Sequence, residues 1–171
     1  MLELVPRPAH ITTEVQPGEV LVGVKAPALN SVDGKRRIEK FKATDSELPH
    51  RPGYDVDGVV VKGGSDMTKF KEGDEVYAKA EAALNQPQQY GSLERYTAMP
   101  EELLAIKPKY LRFAEAASLP LAIETAHEAF ESANLKEGQT ALVTGGAGGV
   151  GNTQQHHSQL RQYAAPSNIT A

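Results

Sequence analysis

Four glycines near the end of the chain form the pattern with the most specific chemistry. Gly146, Gly148, Gly149 and Gly151 follow the short apolar segment 140–144, in the order Gly-x-Gly-x-x-Gly. Glycines at this spacing let the backbone turn sharply after a strand, approach a pyrophosphate closely and pack the next helix on the sheet. The motif therefore predicts a dinucleotide-binding turn that follows a strand at Thr140 to Thr144.

The residues after the glycines do not continue such a domain. Only 20 residues follow Gly151, and residues 152–162 contain a single aliphatic side chain, Leu160. A helix behind the turn needs an apolar stripe, and the residue that reads the adenosine ribose lies about 20 positions further on. Residues 152–171 contain no Asp or Glu. We therefore expect an atypical, disordered tail over 152–171 and weak nucleotide binding.

Composition bounds the class of protein. The 171 residues are 40% hydrophobic, carry a net charge of −4 and include no cysteine. The absence of cysteine excludes disulfides and thiolate ligands, and the balanced charge disfavours nucleic acid or a membrane surface as partner. No stretch approaches the roughly 18 apolar residues of a membrane span, and the first residues lack the features of a signal or transit peptide. We expect a cytoplasmic protein.

The first hundred residues carry short strands that would have to position any site. EVLVGVKA alternates apolar and polar residues from Glu19, and YDVDGVVVK contains the buried run Val59 to Val61. Further strands are expected from Glu75 to Ala78 and from Gly91 through SLERYTAM. Short strands separated by Gly and Pro predict a small β-barrel rather than an α/β sheet.

Helices are expected after residue 100. Pro100-Glu101-Glu102 is typical of a helix start, Phe113 to Leu119 is alanine-rich, and a longer amphipathic helix begins at Pro120. The predicted domain order is a barrel over residues 1–105, then connecting helices and the start of an α/β domain over 106–151, and then the tail over 152–171. The predicted fold class is mostly β.

Six segments stand in an order that is specific to one superfamily. They are PGEVLVGVKAPALNSVDGKRR, PGYDVDGVV, KFKEGDEVYA, GSLERYTA, AASLPLAIETAHEAF and LVTGGAGGVG. Together they cover roughly residues 15–151 and resemble the medium-chain dehydrogenase/reductase superfamily. The resemblance is greatest to its zinc-independent quinone-oxidoreductase branch, and within that to the plant enone oxidoreductase or 2-alkenal reductase group.

The resemblance implies a GroES-like catalytic barrel, lacking its first strand, followed by the first strand and glycine turn of a Rossmann domain. It also implies that NADPH donates hydride to the β-carbon of an enone or to a quinone. A catalytic zinc is not expected, because cysteine is absent and PGYDVDG stands where zinc-dependent relatives have a His-Glu pair. An oligomer is compatible with the family, although we expect this chain to lack the dimer surface.

Four residues outside the glycine run match family positions near the substrate or nicotinamide. Asn30 is a candidate donor to the substrate carbonyl, or a loop-capping residue. Lys35 is a candidate to polarise that carbonyl, or a solvated cation beside Arg36 and Arg37. Tyr54 could contact substrate or be a half-buried structural tyrosine, and Thr125 could face the nicotinamide or pack within its helix.

Two functions remain open on the sequence. The first is an NADPH-dependent double-bond or quinone reductase, in an inactive or fragmentary form. The second is a catalytically silent barrel that acts as a binding or interaction module. Because the nucleotide-binding part is short, we expect no NADPH-dependent enone reduction by this chain alone.

Overall fold

A computed structural model describes residues 15–41, 52–80, 91–136, 139 and 141–160. The chain divides into two compact units, Met1–Ala117 and Ser118–Ala171. Among the described helices, none is both long and apolar enough to cross a membrane.

The first unit is built on an antiparallel sheet of five strands within the described residues. The strands are β1 (Glu19–Ala28), β2 (Asp55–Gly63), β3 (Glu75–Lys79), β4 (Tyr96–Pro100) and β5 (Leu104–Ile106), in the order β4-β1-β2-β3-β5. The mostly β architecture expected from the sequence is confirmed.

The two faces of the sheet differ in chemistry because successive side chains on a strand point to opposite sides. On β2, Val56 and Val60 enter the main apolar cluster, whereas Asp55 and Asp57 alternate with them. The full set of buried cluster residues is Val20, Val22, Val56, Val60, Val76, Ala78, Ala80, Met99 and Leu104.

Short helices flank the sheet. Helix α1 (Ser31–Arg37) follows β1, a 3₁₀ turn spans Glu101–Leu103, and α2 (Phe113–Ala117) packs on β1, β2 and β3. The second unit contains α3 (Pro120–Ser132) and α4 (Gly149–Leu160), which pack against each other. Both helices expected between residues 113 and 133 are therefore present.

Two elements of the first unit differ from the sequence expectations. The fourth strand begins at Tyr96 rather than Gly91, because the N–H groups of Ser92 and Leu93 bond to the carbonyls of Gly53 and Pro52 instead. The expected helix start at Pro100 is a 3₁₀ turn, because the chain enters β5 at Leu104.

The segment around the glycines also differs from the expected strand and tail. No strand forms at residues 141–143, because the described part of the chain offers them no partner strand, and Thr140 lies outside the described residues. Helix α4 continues to Leu160, so the expected tail begins as helix. Its remainder, residues 161–171, lies outside the described residues.

Candidate functional site

The candidate site of the first unit begins where β1 ends and α1 starts. Asn30 is the N-cap residue of α1 and has an extended backbone. Its backbone N–H donates to Asp33 Oδ2 at 2.7 Å, while Asp33 Oδ1 accepts from the backbone N–H of Gly53 at 3.0 Å. One carboxylate thus ties the first turn of α1 to the loop before β2.

A second carboxylate orients the Asn30 side chain. Asn30 Nδ2 donates to Asp55 Oδ2 at 2.8 Å, and Asp55 is almost fully buried at the start of β2. An amide nitrogen carries two hydrogens, so this contact uses one and directs the other. Asn30 is partly exposed, and its second hydrogen has no partner among the described residues. The side chain is therefore an oriented donor at the surface of the site.

Gly53 is required by the geometry of this loop. Its φ is +98°, which only glycine adopts without strain. A Cβ atom at this position would collide with Ser92 Oγ and would lie 2.9 Å from the backbone nitrogen of Leu93. The Pro52-Gly53 pair is a turn signal in the sequence, but the close approach of residues 92 and 93 is visible only in the structure.

Tyr54 is fully buried and its hydroxyl accepts a hydrogen bond from Arg36 Nε. The Arg36 guanidinium lies 5.0 Å from the centroid of the Phe41 ring and 5.7 Å from that of Tyr54. A buried cation held between two rings is stabilised by cation–π attraction. The sequence reasoning missed Arg36. Its spacing of four from Val32, the other buried residue of α1, is the signal that could have found it.

Lys35 lies on the exposed side of α1. It neighbours the buried Arg36 in sequence, but adjacent helix residues do not face the same way. The structure therefore groups Asn30 and Tyr54 through Asp33, Asp55 and Arg36, and leaves Lys35 at the surface.

The glycine turn and Thr125 belong to the second unit. Gly145 has φ of +73°, Gly148 N–H donates to the Gly145 carbonyl at 3.0 Å, and α4 starts at Gly149. A Cβ atom on Gly151 would meet the Gly145 carbonyl oxygen and would lie 2.8 Å from Gly146 Cα. Gly151 therefore allows the turn to lie directly against the helix.

The turn has the chemistry that a pyrophosphate needs. The first N–H groups of a helix have no intrahelical acceptor and carry partial positive charge. The first turn of α4 contains no acidic residue, and Gly149 lies against Ala122 Cβ of α3, at 3.9 Å from the position of a built Cβ. Thr125, partly buried, is three residues further along α3. These residues fit a dinucleotide phosphate group. Among the described residues, no three His, Asp or Glu side chains form a group that could hold a metal ion.

Comparison with known proteins identifies close relatives. Residues 16–109 match the family model for the alcohol dehydrogenase GroES-like domain. The chain is 59% identical over 140 residues to 2-methylene-furan-3-one reductase of Solanum lycopersicum, a match covering 81% of this chain and 36% of that protein. It is 57% identical over 143 residues to the chloroplastic NADPH-dependent alkenal/one oxidoreductase of Arabidopsis thaliana, covering 83% of this chain and 37% of that protein.

Solved structures share the fold. An alcohol dehydrogenase superfamily protein from Novosphingobium aromaticivorans aligns with a TM-score of 0.78 and 32% identity, over 94% of this chain and 47% of its own. A quinone oxidoreductase from Coxiella burnetii aligns with a TM-score of 0.74 and 31% identity, over 92% of this chain and 48% of its own. The chain thus spans little more than a third of the two plant proteins and about half of these solved chains.

Proposed function

Because the chain belongs to the alcohol dehydrogenase GroES-like family, within the medium-chain dehydrogenase/reductase superfamily, we propose that it supplies the substrate-side half of an NADPH-dependent reductase. The reaction is reduction of the C=C bond of an α,β-unsaturated carbonyl compound, or of a quinone. The names of the similar proteins support this choice, since they include an alkenal/one oxidoreductase, a furanone reductase and a quinone oxidoreductase.

The observation that carries the proposal is the oriented amide of Asn30. NADPH, when bound, supplies the hydride. As the hydride reaches the β-carbon, negative charge develops on the carbonyl oxygen of the substrate. The second Nδ2 hydrogen of Asn30 donates to that oxygen, and the bond to Asp55 holds the amide in place beforehand. A preoriented donor stabilises developing charge without reorganising during the reaction.

The other candidate residues have supporting roles in the same proposal. Arg36 holds the buried Tyr54 hydroxyl, so Tyr54 shapes the wall behind Asn30. Lys35, from the exposed side of α1, approaches a substrate carbonyl from solvent. In the second unit, the glycine turn and the first N–H groups of α4 would hold the pyrophosphate of NADPH, and Thr125 would contact the nicotinamide.

The test measures ligand binding and turnover on the same protein. In NMR titrations with a 2-alkenone or a benzoquinone, we expect the Asn30 side-chain amide to shift. Asn30→Ala should weaken this binding by roughly tenfold, the value of one lost hydrogen bond in a partly buried site. Ser31→Ala, an exposed neighbour, is the matched control and should bind like the wild type.

Turnover measurements distinguish the reductase from the binding or interaction module. NADPH oxidation in the presence of the alkenone would show a working reductase. Alkenone binding at Asn30 without NADPH binding would show the substrate-side half alone. A folded protein that binds neither ligand would contradict the proposal and favour the interaction module. A fluorescent fusion would test the expected cytoplasmic location against the chloroplast, the compartment named for the Arabidopsis relative.

A further inference from the structure

Asp57 is a buried carboxyl group that the candidate site does not use. It is the third residue of β2, opposite Ala26 of β1 and Tyr77 of β3, with no exposure to solvent. Within the part of the chain that the structure describes, neither of its carboxylate oxygens has a hydrogen-bond partner. Asp33 and Asp55, by contrast, accept hydrogen bonds from named donors. An ionised carboxylate in such a position is costly, so the protein must either protonate Asp57 or provide it with a cation.

The cation beside Asp57 is already engaged elsewhere. Asp57 pairs with Tyr77, so Glu75, two residues before Tyr77, lies diagonally across from Asp57 on the same face of the sheet, and Lys107 is bound to Glu75. The Lys107 ammonium lies 3.0 Å from Glu75 Oε2 and donates to the carbonyl oxygens of Leu111 at 2.6 Å and Pro108 at 3.2 Å. It also lies 5.2 Å from the centroid of the Phe113 ring. The Lys107 side chain is almost fully buried. One ammonium thus joins β3 to the segment that leads from β5 into α2.

The charges around Asp57 act in opposite directions. Burial raises the pKa of Asp57 to about 7, Lys107 opposes the increase, and Glu75 adds to it. The other titratable or charged residues on the elements packed around it are Asp55 and Lys62 on β2, Tyr77 and Lys79 on β3, Glu19 and Lys25 on β1 and Glu115 on α2. Of these, Glu115 is engaged by Arg112. Lys107 is the cation whose charge acts on Asp57, so it is the cation that ionised Asp57 would attract.

We propose that Asp57 and Lys107 form a proton-controlled switch within the barrel. While Asp57 is protonated, Lys107 remains on Glu75 and on the carbonyl groups of Pro108 and Leu111. When Asp57 releases its proton to solvent, its carboxylate competes for the same ammonium. Lys107 then leaves the Leu111 carbonyl, and the connection from β5 to α2 loosens.

The switch is tested by amide hydrogen exchange of residues 108–117 between pH 6 and pH 8, corrected for the intrinsic rate. We expect protection of this segment to fall by about tenfold over the range, as Asp57 changes from mostly protonated to mostly ionised. Protection of the central residues of β1 should not change. In Asp57→Asn the segment should be equally protected at both pH values.

Two charge variants test the direction in which the pH midpoint shifts. Glu75→Gln should move the midpoint to lower pH, because Glu75 raises the pKa of Asp57. In Lys107→Met the titration of Asp57, followed by NMR, should move to higher pH, because Lys107 lowers that pKa. Exchange at residues 108–117 should then no longer depend on pH in this range, because the ammonium that Asp57 attracts is absent. Since Glu75 is about half exposed, its variant should fold even if Lys107→Met does not. Glu102→Gln, an exposed residue of the same unit, is the control and should leave the midpoint unchanged.

Two results would overturn the switch. One is the same loss of protection in Asp57→Asn as in the wild type, which would assign the change to another group. The other is a carboxyl titration of Asp57, followed by NMR, with no change in exchange at residues 108–117. That outcome would show that Asp57 ionises without moving Lys107.

Discussion

At the scale of single residues, neighbouring carboxylates with the same chemistry have different roles because their donors differ. Asp33 accepts from two backbone N–H groups, and Asp55 accepts from the Asn30 amide. Asp57, two residues further along β2, has no donor among the described residues. Burial without a hydrogen-bond donor favours the neutral form of a carboxylate. The first two aspartates therefore organise a site, and the third responds to pH.

Asp57→Asn should increase stability at pH 8 and leave it nearly unchanged at pH 4. The folded pKa of about 7 lies above the ordinary value of 3.8, so the unfolded chain loses this proton first. The free energy of unfolding of the wild type therefore falls as pH rises from about 4 to about 7, and then levels off. At pH 8 the variant should gain about 2–4 kcal/mol. Urea unfolding at both pH values checks this, and an equal gain at pH 4 would contradict it.

Gly53→Ala should lower the free energy of unfolding by about 2–4 kcal/mol, because it adds a strained φ and a steric collision. The positive φ and the contacts with Ser92 and Leu93 are the cause. Gly34→Ala is the matched control, since a Cβ atom there meets nothing within 4 Å and the residue lies in α1. That variant should be neutral or stabilising by about 0.5–1 kcal/mol. Similar losses in both variants would show that the Gly53 conformation is not the reason.

At the scale of elements, one carboxylate holds a loop against the turn before β5. Glu101 Oε2 accepts from the backbone N–H groups of Lys69 at 3.1 Å and Thr68 at 3.0 Å. These bonds lower the pKa of Glu101, with the Lys69 contact as the larger cause. The loop between β2 and β3 is thus anchored by charge-assisted hydrogen bonds, in addition to the packing of Met67 and Phe70 against the apolar cluster.

Glu101→Gln should destabilise this loop at neutral pH and have little effect in acid. Because the folded pKa is lowered, the stabilisation by Glu101 is present above its ordinary value of 4.5 and is lost as pH falls below it. Amide exchange at Thr68 and Lys69 measures the effect, with Glu102→Gln as the control. A loss of protection that is equal at pH 3 and pH 7 would show that the carboxylate charge is not responsible.

At the scale of the whole molecule, the two units differ in how they are held together. The first has a cluster of nine buried apolar residues drawn from all five described strands and the residue after β3. In the second, α3 buries Pro120, Leu121, Ala126 and Phe130. Among the α4 residues whose burial is described, only Gly151 is buried, and it has no side chain. Local stability follows buried apolar contacts.

Helix α4 should therefore exchange its amide hydrogens faster than the paired residues of β1 and β2. We expect protection factors at least about a hundredfold lower in Gly149–Leu160 than in the centre of β1, corresponding to a difference in opening free energy of about 3 kcal/mol. Hydrogen exchange followed by mass spectrometry checks this on the intact chain. Equal protection of α4 and β1 would show that the two units open together. Addition of NADPH should raise protection of α4 if the glycine turn binds the pyrophosphate.

The sequence by itself determined the local elements and the family. Alternation over EVLVGVKA, the short strand pattern from Glu75 to Ala78 and the periodicity after Pro120 are properties of near neighbours, so β1, β3 and α3 follow from them. The order of the six motifs likewise identifies the family, and the model for the GroES-like domain confirms it.

Only the tertiary structure decided which side chains meet. Asn30 and Asp55 are 25 positions apart, and Arg36 and Tyr54 are 18 apart. Neither pair can be read from a local pattern, because each contact depends on how α1 returns to β2. The same is true of Asp57, which a sequence cannot distinguish from Asp55. Strand register and packing place the Asn30 amide next to Asp55 and leave Asp57 without a donor among the described residues. Asp55 therefore belongs to the candidate site, and Asp57 to the proposed switch.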